Sequence, residues 1–563
     1  MESKSTIEQL GEPQSRPWMA RYPRDLQFCG RPQHSHILAL YKEIAFRSAE
    51  AIRYFDSTIT FNDLDILSDA FAVWLQEQGV SVGDRVGIIL QNVPHFVVAT
   101  IATWKIGAIP VPGNPMYKAD ELSRIFADYL PSAIVCHDDH FATVEAALLK
   151  ASLPKAKVAS VNARDFQSED DKRVLPEVAQ NTAEDFLALC KERYGRLPDN
   201  APLNPSDIGL ILYTSGTTGV PKGAVISHAS IAFNAQISLA WMLIGRQSRI
   251  LALAPYFHIT GFILHMAVGL ASGCSVAMHY RFQPDVVADV IRSYRPTVTI
   301  AAITAFNALM NTTDITADNF SSFKQVFTGG APIAPALRDA VKDRFGVELC
   351  PVYGMTESCS PTHIAPPGFD IPVHPSTGAL SVGLPISFTD ARIVDSDGRE
   401  VPPGTAGEIW MRGPQIMTGY WNKPEETEKA LLDGWLRSGD VGIMDQNGWF
   451  YVVDRQKDMI NASGFKVWPS EVEDVLLEHP AVREAAVVGV PDDYRGETVH
   501  AFVSVKKGSA GVETADLVAH CRARLAAYKV PRNVRILDEL PKTPTGKIQR
   551  AVLRDQREHN SGS

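Results

Sequence analysis

Cysteine is scarce in this 563-residue chain, and its seven copies (Cys29, Cys136, Cys190, Cys274, Cys350, Cys359 and Cys521) are scattered with no Cys-x-x-Cys pair. An odd, dispersed set argues against a disulfide framework or a thiolate zinc site, so a reducing compartment, the cytoplasm, is expected. Long apolar runs are also missing. The longest, residues 261–278, is interrupted by His265 and Ser272 and falls short of the ~20 residues that cross a bilayer. It reads as a buried core helix running into a strand, and no transmembrane segment is expected. The first 13 residues hold three glutamates and no cationic segment before an apolar stretch, so neither a signal nor a transit peptide is expected. The closing Ser561-Gly562-Ser563 is not a peroxisomal address. Positive charge is in deficit too: 54 Lys and Arg face 64 Asp and Glu, a formal net charge of −10. That balance gives no support to nucleic acid as a partner, and none is expected, because such binding usually shows as a basic domain or stripe. Repeats and low-complexity tracts are absent.

What remains is an ordinary globular composition, 45% hydrophobic and 21% charged, in a chain long enough for several cores. From residue 85 onward, short β-branched runs alternate with helical periodicity. Residues 85–90, 108–111, 208–213, 249–254, 297–301, 325–328 and 348–353 read as strands, and residues 94–105 as a helix with Pro94 in its first turn. That alternation predicts an α/β fold with parallel sheets, where ligands gather at the carboxyl ends of strands. Between about 385 and 453 the texture changes to short strands punctuated by Asp397-Gly398, Pro403-Gly404, Asp433-Gly434 and Asn447-Gly448, which predicts a β-rich subdomain. Beyond the charged stretch 454–458 a separate α+β domain of about 100 residues is expected. Its first helix opens at Pro469 and Ser470 with Val472, Val475 and Leu476 on one face.

The most informative run is Tyr213-Thr-Ser-Gly-Thr-Thr-Gly-Val-Pro-Lys-Gly223, directly after an apolar strand. Its glycines allow close backbone approach, its hydroxyls and free amides can bind phosphate oxygens, and Lys222 supplies a positive charge. It reads as a phosphate cradle, though not a Walker loop, because Pro221 replaces the second glycine and Gly223 stands where Ser or Thr is required. Cys136-His-Asp-Asp-His140 invites a metal reading, but it lies where a strand becomes a helix, and Asp139 is expected as a cap.

Six further runs follow in order: Thr328-Gly-Gly-Ala-Pro332, Tyr353-Gly-Met-Thr-Glu-Ser358, Gly434-Trp-Leu-Arg-Ser-Gly-Asp440, Asp454-Arg-Gln-Lys-Asp458, Ser463-Gly-Phe-Lys466 and Pro541-Lys-Thr-Pro-Thr-Gly-Lys547. Together with the cradle they resemble the signature motifs of the adenylate-forming (ANL) superfamily: acyl-CoA synthetases, peptide-synthetase adenylation domains and luciferases. The likeness spans nearly everything after the first ~40 residues. It implies an N-terminal adenylation region, residues 1–455, and a mobile C-terminal domain, residues 456–563, with the active site between them.

The resemblance assigns ATP and AMP to Thr214, Ser215, Gly216, Thr217, Thr218, Gly219, Lys222, Gly330, Ala331, Pro332, Tyr353, Gly354, Met355, Asp440 and Arg455. Tyr353 would stack on adenine, Asp440 would accept from both ribose hydroxyls, and Thr356 would hydrogen-bond the α-phosphate. Glu357 would hold Mg2+, the cation that lets a carboxylate stand beside a triphosphate. Lys547 is implied as the catalytic lysine, Lys457 as the hinge, and Gly464 and Lys466 as CoA contacts. His258, in Pro255-Tyr-Phe-His-Ile-Thr-Gly261, matches a position at the mouth of the acyl pocket. Taken alone, a buried histidine could equally be a core residue.

The implied reaction has two steps: a carboxylate attacks the α-phosphate of ATP to give an acyl adenylate and pyrophosphate, then the CoA thiol displaces AMP. An amino-acid substrate would bring an ammonium that needs a paired carboxylate, and no aspartate stands at Phe257-His258. The expected pocket residues Phe233, Trp241, Phe257, His258 and Gly329 are mostly apolar, which favours a medium- to long-chain fatty acid. An aryl acid is the nearest rival, and a carrier protein in place of CoA another. The oligomeric state stays open, a homodimer among the forms allowed.

Overall fold

Strands with no polar face must be covered on both sides, and Val298–Ala301 is buried at every residue. The computed structural model describes residues 16–27, 32, 36–214, 221–310, 314–331, 333–455, 458–462, 465–492, 496–506, 508–509, 511–543 and 547–555. Six strands of its large sheet run parallel, in the order Glu50–Tyr54, Ser275–Met278, Arg249–Leu251, Val298–Ala301, Gln325–Gly329 and Leu349–Met355. A second sheet is parallel throughout: Ile109–Pro112, Arg85–Ile89, Ala133–His137, Lys157–Val161 and Glu184–Asp185. The α/β expectation holds. The helix Pro94–Lys105 begins with its proline in the first turn, where no amide partner is lost, and all its residues are buried. Its buried Lys105 ammonium is matched by Asp65 at 2.8 Å and Asp69 at 2.6 Å, since a buried charge must be paired.

Three expectations are revised. The strand Ile208–Thr214, read as part of a parallel sheet, pairs antiparallel with Lys222–Ser227, and Gly419–Tyr420 adds a third strand. Seven residues separate the first two, too few for the crossover that a parallel pair needs. Lys222 is therefore the first residue of a return strand. The β-rich stretch, in turn, is no isolated unit. Ser381–Pro385 pairs with Ser360–Ile364 on one side and Phe450–Arg455 on the other, so its antiparallel strands extend the large sheet. Its turns form as read: Asp433 and Gly434 have φ of 50° and 78°, as a two-residue hairpin requires. Finally, Asp139 caps nothing. A short turn, Asp138–His140, precedes the helix Phe141–Lys150, and the Asp138 carboxylate accepts from the Asp139 amide at 2.8 Å.

The apolar run becomes Ile259–Gly261, a wide π turn Phe262–Ala267 and Val268–Ser272, ending at Gly273 (φ 68°) before the strand Ser275–Met278. Among the described residues no helix is long and apolar enough to cross a membrane. Residues beyond the junction form their own sheet of Phe465–Val467, Ile460–Ala462, Gly496–Val505, Val482–Asp492 and Asn533–Ile536. Its core includes Val472, Leu476, Leu517 and Cys521. It meets the large region where the Ser470 hydroxyl donates to the Val453 carbonyl at 2.6 Å and the Ser470 amide donates to Asp454 at 3.1 Å. The Asn307 side chain also donates to the Arg483 carbonyl at 3.2 Å.

The segment 16–27, which carries no motif, is docked rather than loose. Trp18 packs edge-on against Phe450 at 5.8 Å, and the Tyr22 hydroxyl donates to the Pro385 carbonyl at 2.6 Å.

Candidate active site

Two parallel strands deliver the motifs expected to bind nucleotide. Gln325–Gly329 ends at Gly329 and Gly330, and Leu349–Met355 carries Tyr353, Gly354 and Met355 into a short turn, Thr356–Ser358. The glycines are required sterically. A Cβ on Gly329 would stand 2.4 Å from the Val352 carbonyl oxygen, and one on Gly354 only 2.0 Å from that of Ser360. Gly329, expected in the acyl pocket, thus faces its neighbouring strand at close range. Gly330 has φ of 85° and is exposed with Ala331, so its backbone can be approached. After Glu357 the chain is strained: Cys359 and Ser360 hold φ of 51° and 79°. Such conformations in non-glycine residues persist where the surroundings enforce them. The enforcing group is Asn234, whose buried amide donates to the Cys359 carbonyl at 2.5 Å and to that of Pro361 at 3.3 Å.

The Tyr353 hydroxyl donates to Asp440 Oδ2 at 2.8 Å, joining the parallel strand to Trp435–Met444. Arg455 lies directly opposite Asp440 in the next strand. The hairpin expected to bind phosphate is braced by Asp128, which accepts from the Tyr213 hydroxyl at 2.6 Å and pairs with Lys423 at 3.3 Å. Thr214 ends the first strand and Lys222 begins the second. Tyr420 stands between the lysine and the expected metal carboxylate. Its hydroxyl donates to Glu357 Oε1 at 2.7 Å, and its ring centre is 5.3 Å from the Lys222 ammonium.

His258 sits at a tight corner. A Cβ on Gly261 would meet the Pro255 carbonyl oxygen at 2.2 Å, so only glycine lets the chain turn there. Nδ1 of His258 accepts from the Thr260 amide at 3.3 Å, which leaves the proton of a neutral ring on Nε2. Burial, helped by the Lys547 charge, pushes the imidazole down to about 3, so it stays neutral. Asn92 pins the segment before it, accepting from the Tyr256 amide at 2.8 Å and donating to the Ala252 and Ala254 carbonyls at 3.1 Å each. Phe257, Phe262 and Leu264 are buried alongside. On the helix His228–Trp241, Phe233 packs against Phe388 at 6.3 Å. Trp241 donates to Ser387 Oγ at 3.1 Å and meets Tyr22 edge-on at 5.0 Å.

Lys547, from the far end of the chain, reaches this place. Its Cε and Nζ lie 3.4 and 4.0 Å from where a Cβ on Gly330 would stand. Its loop is closed on itself: the Thr543 amide donates to the Lys547 carbonyl at 2.7 Å, and the Lys547 amide to Thr543 Oγ1 at 3.1 Å. Thus Gly330, Ala331, Tyr353, Thr356, Glu357, Asp440, His258 and Lys547 are carried to one region from five separate motifs. Ser215, Gly216, Thr217, Thr218, Gly219, Pro332, Lys457 and Gly464 lie outside the described residues. Lys466 lies in the strand Phe465–Val467, paired with Asn461.

Comparison with known proteins fits this arrangement. Residues 44–421 match the family described as AMP-binding enzyme, and residues 471–547 match the AMP-binding enzyme C-terminal domain. The chain belongs to that family. It is an AMP-forming acid–thiol ligase of the ANL superfamily. The chain is 34% identical to a long-chain-fatty-acid–CoA ligase of Bacillus subtilis strain 168, over 97% of this chain and 99% of that one. It is equally 34% identical to a feruloyl-CoA synthase of an Amycolatopsis species, over 90% and 95%. An ATP-bound MatB from Rhodopseudomonas palustris superposes with a TM-score of 0.83 at 26% identity, over 93% and 99%.

For an AMP-binding enzyme, the residues that sequence reading missed are the supports. Asn92, Asp128, Asn234 and Tyr420 each stand alone in the sequence. Asn234 offers a weak signal at most, since its helix also carries His228, Ser230, Gln236 and Ser238. The metal expected of this family also fits. Mg2+ commonly takes one or two protein carboxylates plus substrate phosphates, and Glu357, 7% exposed, offers such a carboxylate near the hairpin that begins its return strand at Lys222. Glu357 would hold the ion, which would neutralise phosphate charge.

Proposed function

We propose that this AMP-binding enzyme activates a medium- to long-chain fatty acid as its acyl adenylate and transfers the acyl group to CoA. The observation that carries the reading is the meeting of Lys547, Gly330 and neutral His258 beside a buried apolar wall. In the first step the carboxylate oxygen attacks the α-phosphate and pyrophosphate leaves. Negative charge grows on the phosphoryl oxygens, and a cation already in place stabilises it without reorganising. Lys547 is that cation, and Thr356 donates to the same phosphate. His258, uncharged with its proton on Nε2, orients the carboxylate without quenching its nucleophilicity. A protonated imidazole would pair with it instead.

Tyr353 stacks on adenine while its hydroxyl fixes Asp440 for the ribose, and Arg455 supports that edge. Lys222 and the hairpin hold the terminal phosphates. The C-terminal domain, residues 456–563, then turns about Lys457 and brings Gly464 and Lys466 to CoA, whose thiol displaces AMP. Phe233, Trp241 and Phe257 line the acyl side. One observation favours a second reading: the feruloyl-CoA synthase relative has the same 34% identity as the fatty-acid ligase, over a somewhat shorter span, which supports an aryl acid of comparable apolarity. A panel of fatty and aryl acids, read by pyrophosphate release with and without CoA, separates the two.

A further inference from the structure

Lys222 already has an anion. Its ammonium pairs with Glu426 on the helix Pro424–Ala430, and the other Glu426 oxygen accepts from Lys429 at 2.8 Å. The hydrogen bond from Lys222, then that from Lys429, holds the Glu426 carboxyl down to about 2. It is therefore ionised at any working pH. On the other side of Lys222, the Tyr420 hydroxyl is committed to Glu357. The lysine is thus linked to two carboxylates of different kinds, to Glu426 directly and to Glu357 through Tyr420. Glu357 can be reconciled with a polyphosphate by a bridging cation. Glu426 cannot, because its compensating charges are lysines, and one of them is the lysine the phosphates need.

An incoming phosphate tail and Glu426 would compete for one ammonium and repel each other. We propose that Glu426 is the resident counter-anion of Lys222, exchanged for the terminal phosphates of ATP, and that it weakens the hold on triphosphate and pyrophosphate. This rests on the reading of Lys222 as a phosphate ligand. The exchange keeps Lys222 compensated in the empty enzyme and eases pyrophosphate departure, because Glu426 can reclaim the lysine.

The sign of the effect makes the test sharp. In the full-length enzyme, Glu426→Gln should tighten equilibrium binding of MgATP and of magnesium pyrophosphate by roughly two- to fivefold, the range expected when a partly exposed charge pair is removed. AMP, which lacks the terminal phosphates, should bind unchanged, and Glu426→Asp, which keeps the charge, should bind MgATP like the parent. The gain should vanish in a Lys222→Met background. Unchanged or weaker MgATP binding by Glu426→Gln, or an equal shift for AMP, would overturn the proposal. Lys222→Met alone separates the two layers. If it leaves MgATP binding untouched, the phosphate reading of Lys222 has failed. If it weakens MgATP binding while Glu426→Gln brings no gain, only the counter-anion role has failed.

Discussion

Lys547 and Gly330, 217 positions apart in the chain, are neighbours. A single methyl on Gly330 would stand 3.4 Å from the Lys547 Cε. The contact joins the C-terminal loop to the end of a parallel strand, and in the proposed function it marks the arrangement in which a carboxylate is activated. It gives the first prediction. Lys547→Ala should slow acyl-adenylate formation by about 10²- to 10³-fold, the usual cost of removing one group aimed at developing charge. Thioester formation from a supplied acyl adenylate should continue. Single-turnover assays of the two half-reactions check this, and equal losses in both would remove Lys547 from its role.

Tyr353→Phe deletes the hydroxyl that donates to Asp440 at 2.8 Å and leaves the ring. Hydrogen bonds to a charged group are worth about 1.5–3 kcal/mol, so the KM for ATP should rise roughly tenfold or more with the acid's KM little changed. Steady-state kinetics with each substrate varied in turn will show whether the loss is confined to the nucleotide.

Asn92 satisfies one amide and two carbonyls ahead of His258. Asn92→Ala leaves them buried without partners, at about 1–3 kcal/mol for such a group. Thermal unfolding should shift down and turnover should fall with it, since the corner bearing His258 loses its anchor. An unchanged melting temperature would mean that the corner is held from elsewhere.

Acid should unfold this protein early. Burial holds His137, His228, His258, His265, His279 and His363 below the ordinary histidine value, at about 3 to 4 for the five other than His137, which lies well below. Each takes a proton near pH 6.5 only when unfolded, so the stability it contributes is complete above that pH and is lost as pH falls. Buried carboxyls oppose them: Asp474, raised to about 8 by burial, keeps its proton in the folded chain through the same window, and burial also raises Asp138 and Glu169. The buried histidines outnumber these carboxyls, so the unfolded chain binds more protons, each steepening the loss by roughly 1.4 kcal/mol per pH unit. Melting curves from pH 7.5 to 5 should fall steeply below 6.5, and a flat profile would contradict the burial of neutral imidazoles.

The residues named for chemistry were legible because they lie in contiguous runs whose order is itself a pattern. The strands were legible because alternation survives in single sequence, and Pro94–Lys105 begins and ends where its proline and periodicity place it. What could not be read depends on contacts distant along the chain. The direction of Ile208–Thr214 is fixed by its partner rather than by its own residues. Tyr420 and Asp128 gain meaning only once Gly419–Tyr420 lies beside Lys222–Ser227. Trp18 and Tyr22, in a segment without motifs, show their purpose only against Phe450 and Pro385.

The acid itself is the central claim, and a straight-chain series from C4 to C16 at saturating ATP and CoA tests it most directly. Each methylene buried in the transition state is worth about 0.8 kcal/mol, so kcat/KM should climb roughly fourfold per carbon. The climb should stop abruptly at one length, because overpacking costs more than a methylene returns. Phe233 and Trp241 are the candidates for the wall that stops it, and alanine at the residue responsible should lengthen the preferred acid. Product should be acyl-CoA with AMP and pyrophosphate in equal amounts. A flat profile across the series, with benzoates or cinnamates turned over faster than any fatty acid, would contradict the account and establish the aryl-acid reading in its place.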